Sequence, residues 1–158
     1  MSQTAGRWCS FRIGDSCFAV DSATVIEVIR DRGLTRVPLA PRGMLGLAHL
    51  RGRIVPVVDP AERLGIARRP IEVPTHLVVA LGDDWYGLLV DEMLDVIQIP
   101  AGRIERVELP GAGGDAVAGT FAGEQWLVHL LDPERMIQAM RPTAHDAGRR
   151  GENHGGDD

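Results

Sequence analysis

"GDSCFAVDSATVIEVI", residues 14 to 29, returns without a gap as "GDDWYGLLVDEMLDVI", residues 82 to 97. The shared register matches Gly14 with Gly82, Phe18 with Tyr86, Val25 with Met93, Glu27 with Asp95 and Ile29 with Ile97. A match this continuous marks one supersecondary unit built twice. Within each copy, short β-branched and aromatic runs are punctuated by Gly, Pro and Asp, the pattern of small all-β folds.

Working outward, "AHLRGRIVPVVDPAERLGI" (48–66) is echoed by "GTFAGEQWLVHLLDPERMI" (119–137), with Gly52 answering Gly123 and Asp59 answering Asp132. The glycine-to-aspartate spacing is 7 in the first and 9 in the second, so the later hairpin is expected to be two residues longer. Strands are predicted at 7–13, 16–21, 25–30, 45–50, 53–58, 75–82, 85–90, 94–99, 117–122 and 126–131. Five strands per copy suit a small closed barrel, which removes exposed sheet edges.

Each "DP" opens a short helix. Asp59 and Asp132 cap free amides, and Pro60 and Pro133 take the first helical position, where a missing N–H costs nothing. Gly65 suits the end of the first helix, and the second is predicted to run to about Met140, before Pro142. Between the copies, "ARRPIEVPTH" (67–76) has two prolines that favour an extended crossover. The stretch "TAHDAGRRGENHGGDD" (143–158) is nearly devoid of apolar residues and is expected to be a disordered tail. The predicted organisation is one domain over 1–142. Its first subdomain covers about 14–70 and its second about 75–135, with the terminal segments completing the barrels.

At 158 residues the chain is long enough to bury most of its apolar surface without staples. Cys9 and Cys17 form no CxxC or Cys/His cluster and are expected to be free thiols. The N-terminus lacks a signal-peptide layout, and no apolar run approaches the roughly 20 residues of a membrane-spanning helix. A soluble, cytoplasmic protein is therefore expected. All 17 basic residues are Arg. Residues 1–70 hold 11 Arg against 6 acids and residues 71–158 hold 6 Arg against 16 acids, a split that is either a steering dipole or ordinary solvated surface. With 4% aromatic residues and a net charge of -5, neither the charge nor the stacking platform for nucleic acid is present.

No catalytic set emerges. His49, His76, His129, His145 and His154 are scattered, and His76 and His129 lie inside apolar strands where structural roles are favoured. "GAGGD" (111–115) lacks the Lys-Ser/Thr of a phosphate loop. "VDEMLD" (90–95) lacks the Gly turn and final Glu of a calcium loop. The remaining enzymatic reading would pair His49 with Asp59 or with the tail histidines. No metal site and no cofactor are expected, and a body without chemistry is expected to work by offering surfaces.

The stretch from "FRIGDSCFAVDSATVIEVI" to "GLAHLRGRIVPVVDPAERLGI", continued by "LVVALGDDWYGLLVDEMLDVIQIP", resembles the CheW-like coupling proteins of bacterial chemotaxis. "GLAHLRGRIVPVVD" is its most specific piece. Two departures stand out: His49 where the family usually has Asn, which would retune a loop hydrogen bond beside the partner groove, and Pro60 where Leu is usual. The resemblance implies two five-stranded SH3-like barrels on a shared hydrophobic core, and no enzyme activity. It implies a cytoplasmic adaptor recruited to membrane receptor arrays, bridging the tip of a chemoreceptor and the regulatory domain of a CheA-type histidine kinase within ring-like assemblies. Control of pili, surface motility or second-messenger output is the alternative pathway. Carried over by position, the receptor groove would use Val25, Glu27, Val28, Gly46, Arg51 and Met93, with His49 as a modulator. Val25, Val28 and Met93 equally read as core, and Gly46 as backbone geometry. Of these residues Arg51 has no counterpart in the second copy, where Ala122 replaces it.

Overall fold

The computed structural model describes residues 6–30, 33–68, 70–71, 73–106 and 114–140. The predicted tail at 143–158 lies outside the described residues. The strands are β1 (Gly6–Ile13), β2 (Ser16–Asp21), β3 (Val25–Arg30), β4 (Met44–Leu50), β5 (Arg53–Val58), β6 (Thr75–Leu81), β7 (Asp84–Val90), β8 (Glu92–Ile99), β9 (Val117–Ala122) and β10 (Leu127–Leu131). Two helices follow the DP sites, α1 (Pro60–Leu64) and α2 (Pro133–Met140).

Local chemistry explains the punctuation. Gly14 and Gly82 turn the first hairpin of each copy at φ 59° and 64°, a conformation that glycine adopts without steric cost. Asp59 accepts the Ala61 amide at 3.0 Å and Asp132 accepts the Glu134 amide at 3.1 Å, so both helices start on side-chain caps. Gly65, at φ 67°, ends α1 by returning its N–H to the Ala61 carbonyl. As the spacing predicts, the β9–β10 connection is two residues longer than the β4–β5 turn.

Two five-stranded sheets result, ordered β8-β1-β2-β10-β9 and β3-β6-β7-β5-β4. Replacing each strand by its repeat mate, β1 by β6 through β5 by β10, converts one order into the other. The duplication is therefore a pseudo-two-fold in space. Neither sheet belongs to one copy: each copy leaves its first hairpin in one sheet and sends its remaining strands to the other. In the first copy the crossing follows a single 3-10 turn at Ser22–Thr24, capped by Asp21.

The closed barrels expected from the sequence are not formed. The backbone ladders end at β8 and β9 in one sheet and at β3 and β4 in the other. Loop chain enters beside the seams instead, where Thr35 bridges Leu47 on β4 and Glu105 bridges Thr120 on β9. Gly46 and Gly119 make room for it: a Cβ would stand 2.7 Å from the Thr35 carbonyl oxygen at the first and 2.8 Å from that of Glu105 at the second. The loops thus take the hydrogen-bonding edge that continuous closure would have used.

Period-two alternation sorts the core. Phe18 and Val20 on β2 face the cluster between the sheets, with Phe11, Leu77, Val79 and Leu88, and with Met136 and Ile137 from α2. Cys17 and Ala19, on the other face, join Ile99, Val128 and Leu130 inside the first sheet. Ala48, Leu50, Val55, Val57 and Val78 fill the second. The shared core is thus the layer between two half-rolled sheets, and each fully buried Leu or Phe there contributes about 2–3 kcal/mol relative to exposure.

A polar knot pins the crossover. Arg68 donates to Asp59 at 2.7 Å, to the Leu89 carbonyl at 2.9 Å and to Asp91. Asp91 also accepts the Gly14 amide at 2.8 Å, joining the β1–β2 turn, the helix cap and the β7–β8 corner. Cys9 and Cys17 are free, and burial pushes both thiols up, with Asp21 adding to the effect at Cys9. His76 is buried and His129 is half-buried with its ring 5.4 Å from Phe18, and Nδ1 of each has no hydrogen-bond partner among the described residues; burial lowers both pKa values.

Candidate partner-binding groove

The β4–β5 turn consists of Arg51 and Gly52, with φ of 51° and 76°. A two-residue hairpin turn with both central residues left-handed matches the twist of its strands, but a non-glycine residue pays about 1 kcal/mol for it. The turn places Arg51 at the tip, where its side chain is 67% exposed and its Nε stands 3.2 Å from Glu27 Oε1. Glu27 lies on β3 and Arg51 at the end of β4, so the ion pair spans the seam that the backbone leaves open. It has the distance of a salt bridge without hydrogen-bond alignment, and at such exposure contributes less than about 1 kcal/mol. Its consequence is position: it biases the guanidinium toward β3.

A bulge sets the rest of β3. Val25 pairs with Val79 but Glu27 with Val78, so one extra residue, Ile26, shifts the alternation. Val25 therefore packs on the central core, whereas Ile26 and Ile29 enter the interior of the second sheet. Val28 pairs with Leu77, on the core side, and remains 38% exposed. The mate strand repeats the device. β8 shifts register opposite Ser10, whose hydroxyl donates to the Asp95 carbonyl at 2.6 Å and accepts the Asp95 amide at 3.0 Å, and Met93 packs on the same central core.

Glu27 and Arg51 are thus in contact, and Val25 and Met93 reach one core from opposite sheets. Val28 lies further along β3 from Val25 and is the more exposed of the two. Gly46 is buried and acts through its backbone against Thr35. His49 is exposed on β4 and pairs in register with Ile54, two residues before the Arg51 turn. Asp59, the partner needed for an enzymatic reading of His49, is engaged by the α1 cap and by Arg68. Among the described residues no group of three or more His, Cys, Asp or Glu could hold a metal ion.

One feature escaped the sequence reading. Aligning Asp59 with Asp132 places Ile54 opposite Leu127, and these are 62% and 54% exposed at the outer ends of the two sheets. Trp126 beside Leu127 is 66% exposed, and Arg53 beside Ile54 stacks 4.2 Å above Trp85. Periodicity alone assigns Ile54 and Leu127 to strands without revealing that the hairpin ends of these strands are uncovered; the repeat alignment carried the signal that they share one position.

Residues 7–141 match the CheW-like domain. The chain is 30% identical over 131 residues to the chemotaxis protein CheW of Thermotoga maritima, covering 83% of this chain and 87% of that protein. It is 31% identical to the protein FrzA of Myxococcus xanthus (85% and 86% covered) and 32% identical to the protein PilI of Pseudomonas aeruginosa (81% and 73% covered). The crystal structure of the scaffolding protein TtCheW from Thermoanaerobacter tengcongensis superposes with a TM-score of 0.74 at 26% identity, covering 81% of this chain and 89% of that one. The matched domain takes in both sheets, the Arg51 turn and both helix caps, and the chain belongs to the CheW-like family.

Proposed function

We propose that this protein is a non-catalytic coupling adaptor that holds a CheA-type histidine kinase against the cytoplasmic tip of a chemoreceptor. The observation that carries this reading is the Glu27–Arg51 pair set across an open seam, with Val25 and Val28 on the core side of the same strand. An α-helical receptor tip would place apolar anchors along Val25, Val28 and Met93, and Arg51 would fix its register through a rim contact. Gly46 would keep the neighbouring loop close, and His49 would tune the edge of the groove. Kinase contacts would use the outer hairpins, where Ile54 with Arg53 at one end and Leu127 with Trp126 at the other offer apolar anchors.

In this reading the adaptor is cytoplasmic and reaches the membrane only through receptor arrays. Among the described residues no helix is long and apolar enough to cross a membrane. The similarity to FrzA and PilI supports a second output, a chemosensory-like pathway other than swimming, with the same surfaces and different partners. Pull-down of the full chain from its native cell tests both readings. Recovery of a receptor and a CheA-type kinase together supports coupling, the receptor's identity assigns the output, and recovery of neither contradicts it.

A further inference from the structure

At the Arg30 end of the second sheet, between the β3–β4 loop and the crossover prolines, lies a cleft of about 620 Å³, within the usual range of small-ligand pockets. Leu34, Leu45 and Leu89 line it with Arg36, Arg68 and His76, and no acidic residue is among its described lining. None of the groove residues discussed above contributes to it.

The repeat supplies a comparison for its wall. His76 on β6 corresponds to Trp8 on β1, and both sit opposite equivalent isoleucines: His76 pairs with Ile29 and Trp8 with Ile97. In the first sheet the Trp8 indole packs with Ile97, Ile104 and Phe121 against the interior cluster. In the second sheet the same place holds a smaller imidazole, and His76 forms part of the cleft wall.

Its polar groups are not spent. His76 is 1% exposed and its Nδ1 has no hydrogen-bond partner among the described residues, a costly state for a buried polar atom. The guanidinium ends of Arg68 are neutralised by Asp59 and Asp91, but its Nε is buried and unpartnered. Arg36 is exposed at the rim and forms no ion pair among the described residues. Apolar walls, an imidazole Nδ1 without a partner and a rim arginine without an acid among the described lining together select one kind of occupant.

We propose that this cleft binds a small organic monoanion, its apolar body seated against Leu34, Leu45 and Leu89 and its carboxylate or sulfonate held at Arg36 beside His76.

The test uses the full chain and needs neither receptor nor kinase. Anilinonaphthalene sulfonate is titrated by fluorescence and then displaced with octanoate, whose saturable binding is expected at or below about 1 mM for a ligand of that size. His76→Trp, which installs the residue of the other copy, should abolish displacement, and Arg36→Glu at the exposed rim should weaken it about tenfold. Arg51→Glu, at the other site, should leave it unchanged. Absence of saturable octanoate displacement from the native protein overturns the proposal. So does undiminished affinity in Arg36→Glu, a surface change that decides the matter should His76→Trp fail to fold.

Discussion

The β4–β5 hairpin and the β9–β10 hairpin occupy equivalent positions in two sheets of equivalent topology, yet they present different tips. The first is a strained two-residue turn with Arg51 reaching Glu27 across the seam. The second is two residues longer, with Ala122 where Arg51 would be, Asp95 exposed where Glu27 would be, and Trp126 beyond. The duplicated frame is what folds, and the differences between its copies are where partners can be told apart. A surface residue shared by both copies would stand at two places at once; Arg51 stands at one.

The largest expected effect breaks the frame where it has no mate. Arg68→Ala leaves Asp91, whose side chain is 6% exposed, as a buried carboxylate without its main cation, and should cost about 3–5 kcal/mol in urea unfolding. Next come the matched glycines. Gly46→Val and Gly119→Val each force a Cβ onto a loop carbonyl, and each should destabilise by about 1–3 kcal/mol. Similar losses would sustain the pseudo-two-fold reading, and a loss at one position only would break it.

Acid should weaken both halves. Burial lowers the folded pKa of His76 in the second sheet and His129 in the first, so the unfolded chain binds protons at higher pH than the folded one. Their contribution is therefore present above the unfolded value of about 6.5 and is lost as pH falls from there toward the folded pKa. Unfolding free energies measured between neutral and mildly acidic pH should fall, and His76→Gln with His129→Gln should flatten that slope. The smallest effect on stability belongs to the seam: Glu27→Ala should cost less than about 1 kcal/mol while loosening the position of Arg51.

Much of this was legible in the sequence. All ten strands and both helices follow from alternation, glycine turns and Asp-Pro caps, because these are local signals that the tertiary structure did not override. The sheet assignment was not, since no residue pattern states that the last three strands of each copy join the first hairpin of the other. Closure was misjudged for a related reason: Gly46 read as a groove position or as backbone geometry, Gly119 drew no reading, and only the fold shows that loop backbone rests on both beside the seams. At the candidate site, the singularity of Arg51 was visible from the Ala122 mismatch. Its contact with Glu27 was not, because the two are brought together only by the roll of the sheet. The bulge that separates Val25 from Ile26 likewise depends on pairing with β6.

The most direct test is a reconstituted receptor, kinase and adaptor assay with Arg51→Glu, paired with urea unfolding of the same variant. Loss of receptor control over kinase activity, with an unfolding midpoint close to that of the native protein, is the predicted result. Unchanged control in a folded variant would contradict the assignment of partner recognition to this turn.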